Sequence, residues 1–218
     1  MPLRVLVYYH APMTLPVEFL RAITPEAVNA LPIRRYEGEV RLVASREEGE
    51  RAAADFAAEP VVGFDTETRP AFRPGVSYPP ALVQVATARA VYLFQLARAD
   101  FSATLAALLA SGSTVKAGVG LGDDMRQLRK LFEVSPAALV DLGAVARGLG
   151  IEKSGVRTLA ALFLGIRIPK GTKTSNWAAR SLSRQQIAYA ATDAWVCREL
   201  YLRFAALGLV ATERDQLR

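Results

Sequence analysis

The stretch Pro60–Thr68, PVVGFDTET, runs apolar as far as Phe64 and then turns acidic. A continuous apolar run that ends in polar residues reads as a buried strand. Side chains two apart on a strand share a face, so Asp65 and Glu67 project into one space. Two carboxylates packed at the mouth of an apolar strand repel each other and lose hydration unless a cation lies between them. A solvated strand end with incidental acids is the plainer account of the same residues.

The flanking sequence gives this strand its setting. Upstream, EVRLVAS (39–45) alternates as a strand, and REEGERAAADFAAE (46–59) is rich in good helix formers. Downstream, ALVQVAT (81–87) and AVYLFQL (90–96) are two strands separated by the short Ala88–Arg89 turn, which makes a hairpin. Residues 101–110 are helical, TVKAGVG (114–120) is a strand, and DDMRQLRKLF (123–132) is a helix. AALVDLGAVARGLG (137–150) supplies a short strand and helix, and RTLAALFLG (157–165) another helix. IPKGTKTSNW (168–177) is a loop, and one long helix runs from Ser183. A hairpin followed by alternating helices and strands implies an α/β fold, a mixed β-sheet with helices on its faces. This expected domain spans 39–218. Residues 1–38 are expected to form an N-terminal extension packed on it, with an apolar strand at Arg4–Tyr9 and a short helix opened by Thr24, Pro25 and Glu26.

Composition narrows the class. The 218 residues suit one large α/β domain, and 51% hydrophobic with 22% charged residues provides for a sizeable core. Mean hydropathy is +0.17 and nothing suggests a disordered chain. No apolar run reaches the roughly 18–20 residues that cross a bilayer. The start, MPLRVLVYYHAPMTLPVEF, meets His10 and two prolines with no cleavage site after them, and is expected to be a strand and turn rather than a secretion signal. The single cysteine, Cys197, cannot form an internal disulfide; it is expected as a small buried side chain in a cytoplasmic protein. Lys and Arg total 27 against 21 Asp and Glu, a net charge of +6, which favours an acidic partner such as nucleic acid.

Two more acidic signals accompany the first. In GVGLGDDMRQL (118–128) glycines turn the chain out of a strand, and Asp123 and Asp124 fall at the start of the next helix. The helix dipole welcomes acids there, so Asp123 as N-cap and Asp124 as a first-turn acid explain the pair without chemistry. Only one of the two need serve a site. In QQIAYAATDAWVCREL (185–200), Tyr189 and Asp193 lie four apart on one helix face among apolar neighbours, where an acid is costly without a partner. Four acids on three elements would make the oxygen cage that Mg²⁺ or Mn²⁺ prefers, and two such ions can activate a water and hold a phosphate.

With these motifs in view, the chain resembles the DEDDy 3′-5′ exonuclease superfamily, which includes ribonuclease D and the Werner-syndrome exonuclease. FDTET is similar to the first motif, KAGVGLGDDMRQL to the second and YAATD to the third; YLF (92–94), VDL (140–142) and SNWAARSLSRQQIAYAATDA (175–194) resemble the Werner-type branch. The resemblance covers about Glu39 to Leu207. It implies a ribonuclease-H-like fold, a nucleic-acid substrate cut from its 3′ end, and two divalent ions, Mg²⁺ or Mn²⁺. The implied ligands are Asp65, Glu67, Asp124 and Asp193, with Tyr189 orienting the attacking water. Asp124 is preferred to Asp123 because it stands four residues before Leu128. Related exonucleases of the histidine type place a general-base His near the third motif, whereas the one histidine here, His10, lies far upstream. Departures concern the substrate rather than the chemistry: Met125 and Arg126 follow the second acid where the Werner-type pattern has an aromatic residue, Ser181 follows Arg180 in place of proline, and no counterpart of the helical C-terminal domains of ribonuclease D is expected within these 218 residues.

Candidate contacts with the strand cluster beside the motifs. Thr66, Arg69, Phe72 and Arg73 flank the first and suit the terminal nucleotide. Lys170, Lys173 and Trp177 precede the catalytic helix, where lysines could hold phosphates and an aromatic could stack or simply pack. Arg126, Arg129 and Lys130 follow the second motif, where a solvated helix face explains them equally well. Two competing functions are a binding protein that kept the fold and lost catalysis, and a phosphohydrolase of free nucleotides. The first would show a missing metal acid, and all four are present.

Overall fold

A computed structural model describes residue 19 and residues 23–71, 73, 75–171 and 175–210. The strand expected at Arg4–Tyr9, His10, Phe72 and Lys173 lie outside the described residues. The chain folds in the order α1 (Pro25–Ala30), β1 (Glu39–Val43), α2 (Arg46–Ala57), β2 (Val61–Thr68), β3 (Pro80–Ala86), β4 (Ala90–Gln95) and α3 (Ser102–Ala110). It continues with β5 (Val115–Gly118), α4 (Leu121–Leu128), β6 (Leu139–Asp141), α5 (Leu142–Gly148), α6 (Val156–Leu159), a π-helical turn at Ala160–Leu164, and α7 (Arg184–Ala206).

The six strands form one mixed sheet in the order β1-β4-β3-β2-β5-β6. The β2–β3–β4 meander is antiparallel, and β1, β5 and β6 join it in parallel. Alternation along β2 assigns its two faces. Val62 and Phe64 sink into a core with Phe56 of α2, Leu105 and Leu109 of α3, and Leu121 and Met125 of α4. Val61 points the other way, into a core with Leu142 of α5, Phe163 of the π-helical turn, and Val196 and Leu200 of α7. Helices therefore cover both faces, as the pattern of elements requires. Period two then carries Gly63, Asp65 and Glu67 onto the α7 face.

Local chemistry sets the helix ends. Thr24 Oγ1 accepts the Ala27 N–H at 3.2 Å and caps α1. Ser183 and Gln186 form a reciprocal capping box at the start of α7, with Gln186 Oε1 accepting the Ser183 N–H at 2.9 Å. The helix holding the second motif begins earlier than its acids suggest. Its N-cap is Gly120 at φ 83°, which only glycine adopts without strain, so Asp123 is a first-turn residue rather than the cap.

The segment before β1 is fastened to the domain. Ile33 and Arg167 form a parallel bridge, the Arg34 N–H donates to Arg167 O at 2.9 Å, and the Arg167 N–H returns to Pro32 O at 2.9 Å. Phe19 stacks on Phe163 with ring centroids 4.9 Å apart.

Candidate active site

The site forms where β2 leaves the sheet under α7. Asp65 and Glu67 come from the end of β2 and Asp193 from the middle of α7, and one carboxylate oxygen from each lies within 4.8 Å of the other two. Such closeness requires a helix pressed hard against a strand. Gly63 permits it, because a Cβ there would strike the Ala194 carbonyl and stand 2.8 Å from the Arg198 nitrogen. The glycine in VVGFDTE is thus a contact point for the helix that bears the third motif.

Asp124 arrives from the opposite face. Thr66 points away from Asp65 and Glu67, and its Oγ1 donates a 2.6 Å hydrogen bond to Asp124 Oδ1. Asp124 is therefore a neighbour of the three converging acids, held across the strand end by Thr66, and its charge bears on both Asp65 and Glu67. Asp123 turns outward to a 2.7 Å ion pair with Arg126. Asp141, in the VDL segment, is a structural acid: its Oδ1 accepts the Ala144 N–H at 3.0 Å and the Gly120 N–H at 3.2 Å, which caps α5 and ties down the turn before α4.

Each acid of the group holds its proton more tightly than usual. Burial, followed by the charges of Asp193, Asp124 and Glu67, raises Asp65 well above the ordinary range. Burial and the charges of Asp193 and Asp124 push Glu67 up to about 8. Asp124 is raised to about 6 by burial, against the opposing Thr66 hydrogen bond. Asp193, only 5% exposed, is raised to about 6 by burial, against the opposing influences of Tyr189 and Arg157. Burial and the neighbouring Asp193 also raise Tyr189, so its hydroxyl stays protonated through the neutral range.

The expected strand contacts separate. Thr66 spends its hydroxyl on Asp124. Trp177 is 5% exposed and packs in a core cluster, its ring centroid 6.0 Å from that of Tyr189, and it lines a cavity together with Tyr189. Arg69 lies over the Tyr78 ring at 5.0 Å, beside a cavity of about 480 Å³. Arg73 is exposed in the loop after β2. Lys170 lines a cavity of about 600 Å³ together with Tyr189 and Asp193. Two residues had no part in the sequence argument. Arg35 lines the larger cavity from the segment before β1. Gln84, opposite Asp65 in β3, is fully buried with neither amide atom hydrogen-bonded among the described residues. Its signal was a glutamine in the middle of the apolar strand ALVQVA.

The sequence matches the 3′-5′ exonuclease family over residues 40–207. The bifunctional 3′-5′ exonuclease/ATP-dependent helicase WRN of Mus musculus is 33% identical over 154 residues, 68% of this chain and 11% of that protein. Ribonuclease D of Haemophilus influenzae is 36% identical over 107 residues, 49% of this chain and 27% of that protein. This chain thus spans well under half the length of either relative. The EXO domain of Nibbler from Aedes aegypti has the same fold, with a TM-score of 0.69 at 25% identity over 82% of this chain and 94% of that one. The family match spans most of the chain, including all three acidic motifs, and this chain belongs to the 3′-5′ exonuclease family.

Proposed function

We propose that this chain removes nucleotides from the 3′ end of a nucleic-acid strand with the help of two divalent cations, Mg²⁺ or Mn²⁺, releasing nucleoside 5′-monophosphates. The observation that carries the proposal is the convergence of the Asp65, Glu67 and Asp193 carboxylates within 4.8 Å. An all-oxygen donor set suits a hard cation, and the raised carboxyl pKa values are the penalty that a cation would relieve. Asp65, Glu67, Asp124 and Asp193 are the residues that would hold the ions, which supply an activated water and charge stabilisation at the phosphate. Tyr189 keeps its proton, so its part is to orient the attacking water by hydrogen bonding. Of the strand contacts expected from the sequence, Arg69, Arg73 and Lys170 are the described cations that would meet phosphates. Residues 39–218 carry this activity, and the preceding segment packs against them through Pro32–Tyr36. A cytoplasmic location accompanies the reading, motivated by the free, buried Cys197.

End-labelled DNA and RNA oligomers with Mg²⁺ or Mn²⁺ test it. A 5′ label should give a descending ladder and a 3′ label an immediate mononucleotide, and EDTA should abolish both. Cutting of a closed circle would overturn the exonuclease reading.

A further inference from the structure

The family match begins at residue 40, yet the segment just before it is pinned to the helix that bears Asp193. The Tyr36 N–H donates to Thr192 Oγ1 at 3.1 Å, one residue from Asp193, and the Tyr36 ring lies 6.1 Å from that of Trp195. On the other side, Pro32 and Arg34 are hydrogen-bonded to Arg167. Arg35 is held between these two anchorages and lines the cavity of about 600 Å³ that Tyr189 and Asp193 also line. Lys170 and Arg184 are further cations of that lining, and Asp193 is its one acid among the described residues. None of Arg35, Lys170 and Arg184 makes an ion pair with another described residue.

A cavity that reaches Asp193 and is lined by cations without ion-pair partners among the described residues suits a polyanion. A free mononucleotide would spend its one phosphate, a monoester, at the carboxylates. Cations farther along the cavity serve only a substrate with a second phosphate. We propose that this cavity is the path of the strand upstream of its terminal nucleotide, with Arg35 gripping the phosphodiester backbone together with Arg184 and Lys170. This rests on the exonuclease reading above and adds to it a binding residue contributed from outside the family-matched region.

The test compares Arg35→Ala and Arg35→Lys with the wild-type chain on two substrates: a single-stranded oligonucleotide and the p-nitrophenyl ester of a nucleoside 5′-monophosphate. The ester carries the scissile phosphate and no strand upstream. Arg35→Ala should raise KM for the oligonucleotide about three- to fivefold more than for the ester, the scale of one exposed phosphate contact. Its log KM should also rise less steeply with log salt, by about 0.7. Arg35→Lys should recover most of both effects. Equal losses on the two substrates would mean that the segment only props up Thr192 and Asp193, and wild-type behaviour on both would put the strand elsewhere; either result overturns the proposal. Should the wild-type chain cleave neither substrate with Mn²⁺, the exonuclease reading itself fails, a result distinct from these.

Discussion

Tyr189 has its hydroxyl beside Asp193, and burial keeps it protonated well past neutrality. A base at that position would be of no use near pH 7, whereas a hydrogen-bonding group that fixes a water would be. Tyr189→Phe keeps the ring that packs near Trp177 and removes only the hydroxyl. Its kcat should fall roughly 10–1,000-fold with the fold intact, the scale of one positioned hydrogen bond in a transition state; full activity would reduce Tyr189 to a packing residue. Asp65 is a different case, because its charge is opposed by three neighbouring acids. Asp65→Asn removes that repulsion along with a ligand. The variant without metal should melt at or above the metal-free wild-type protein, yet gain little from Mn²⁺. The wild-type protein should gain about 2.7 kcal/mol at a hundredfold excess of metal over Kd, or roughly 5–10 °C. A markedly lower melting point for metal-free Asp65→Asn would make Asp65 a structural acid satisfied by the fold.

Among elements, the contact between β2 and α7 decides the site. Gly63→Ala would drive a methyl group into the Ala194 carbonyl, so helix or strand must shift. The cost should be about 1–3 kcal/mol, read from a urea melt, with a disproportionate loss of activity because Asp193 moves relative to Asp65. The Thr66–Asp124 hydrogen bond is the second joint. Thr66→Val keeps the β-branched shape and should weaken Mn²⁺ binding about 10–100-fold, as loss of an outer partner of a metal ligand does. Unchanged affinity would show that Asp124 needs no anchor. These two joints mark the boundary of what the sequence reveals. Period two along β2 made Asp65 and Glu67 legible as a pair, and period 3.6 did the same for Tyr189 and Asp193. That Asp124 stands apart from the other three could not be read, because it depends on α4 crossing the opposite sheet face. Gly63 looked like any glycine in an apolar run, since close approach is a property of a partner more than 100 residues away in the chain. The start of α4 was misplaced for a related reason: two acids resemble a cap, while the turn is made by Gly120.

For the whole molecule, the four acids couple stability to pH and metal. A carboxyl whose folded-state pKa is raised binds its proton more tightly folded than unfolded. Its stabilising contribution is therefore complete below the unfolded pKa and is lost as pH rises through the folded one. Glu67, shifted from 4.5 to about 8, and Asp124 and Asp193, shifted from 3.8 to about 6, set the window. The metal-free protein should be most stable in mild acid, and its melting temperature should fall as pH climbs from about 4 to about 8. Lys116, buried and lowered to about 8, acts in the opposite sense only above that window. Divalent ions bind the ionised carboxylates, so protons compete with them and their stabilisation grows as pH rises. Melting curves with and without Mn²⁺ should therefore nearly coincide at the acid end of the window and separate steadily above about pH 6. Glu67→Gln should flatten the metal-free curve, because the carboxyl pushed up to about 8 no longer titrates. A metal-free melting temperature that stays level or rises between about pH 5 and 8 would mean that the acids are hydrated rather than crowded together. The cation cage would then lose its physical basis even if the chain cut nucleic acid.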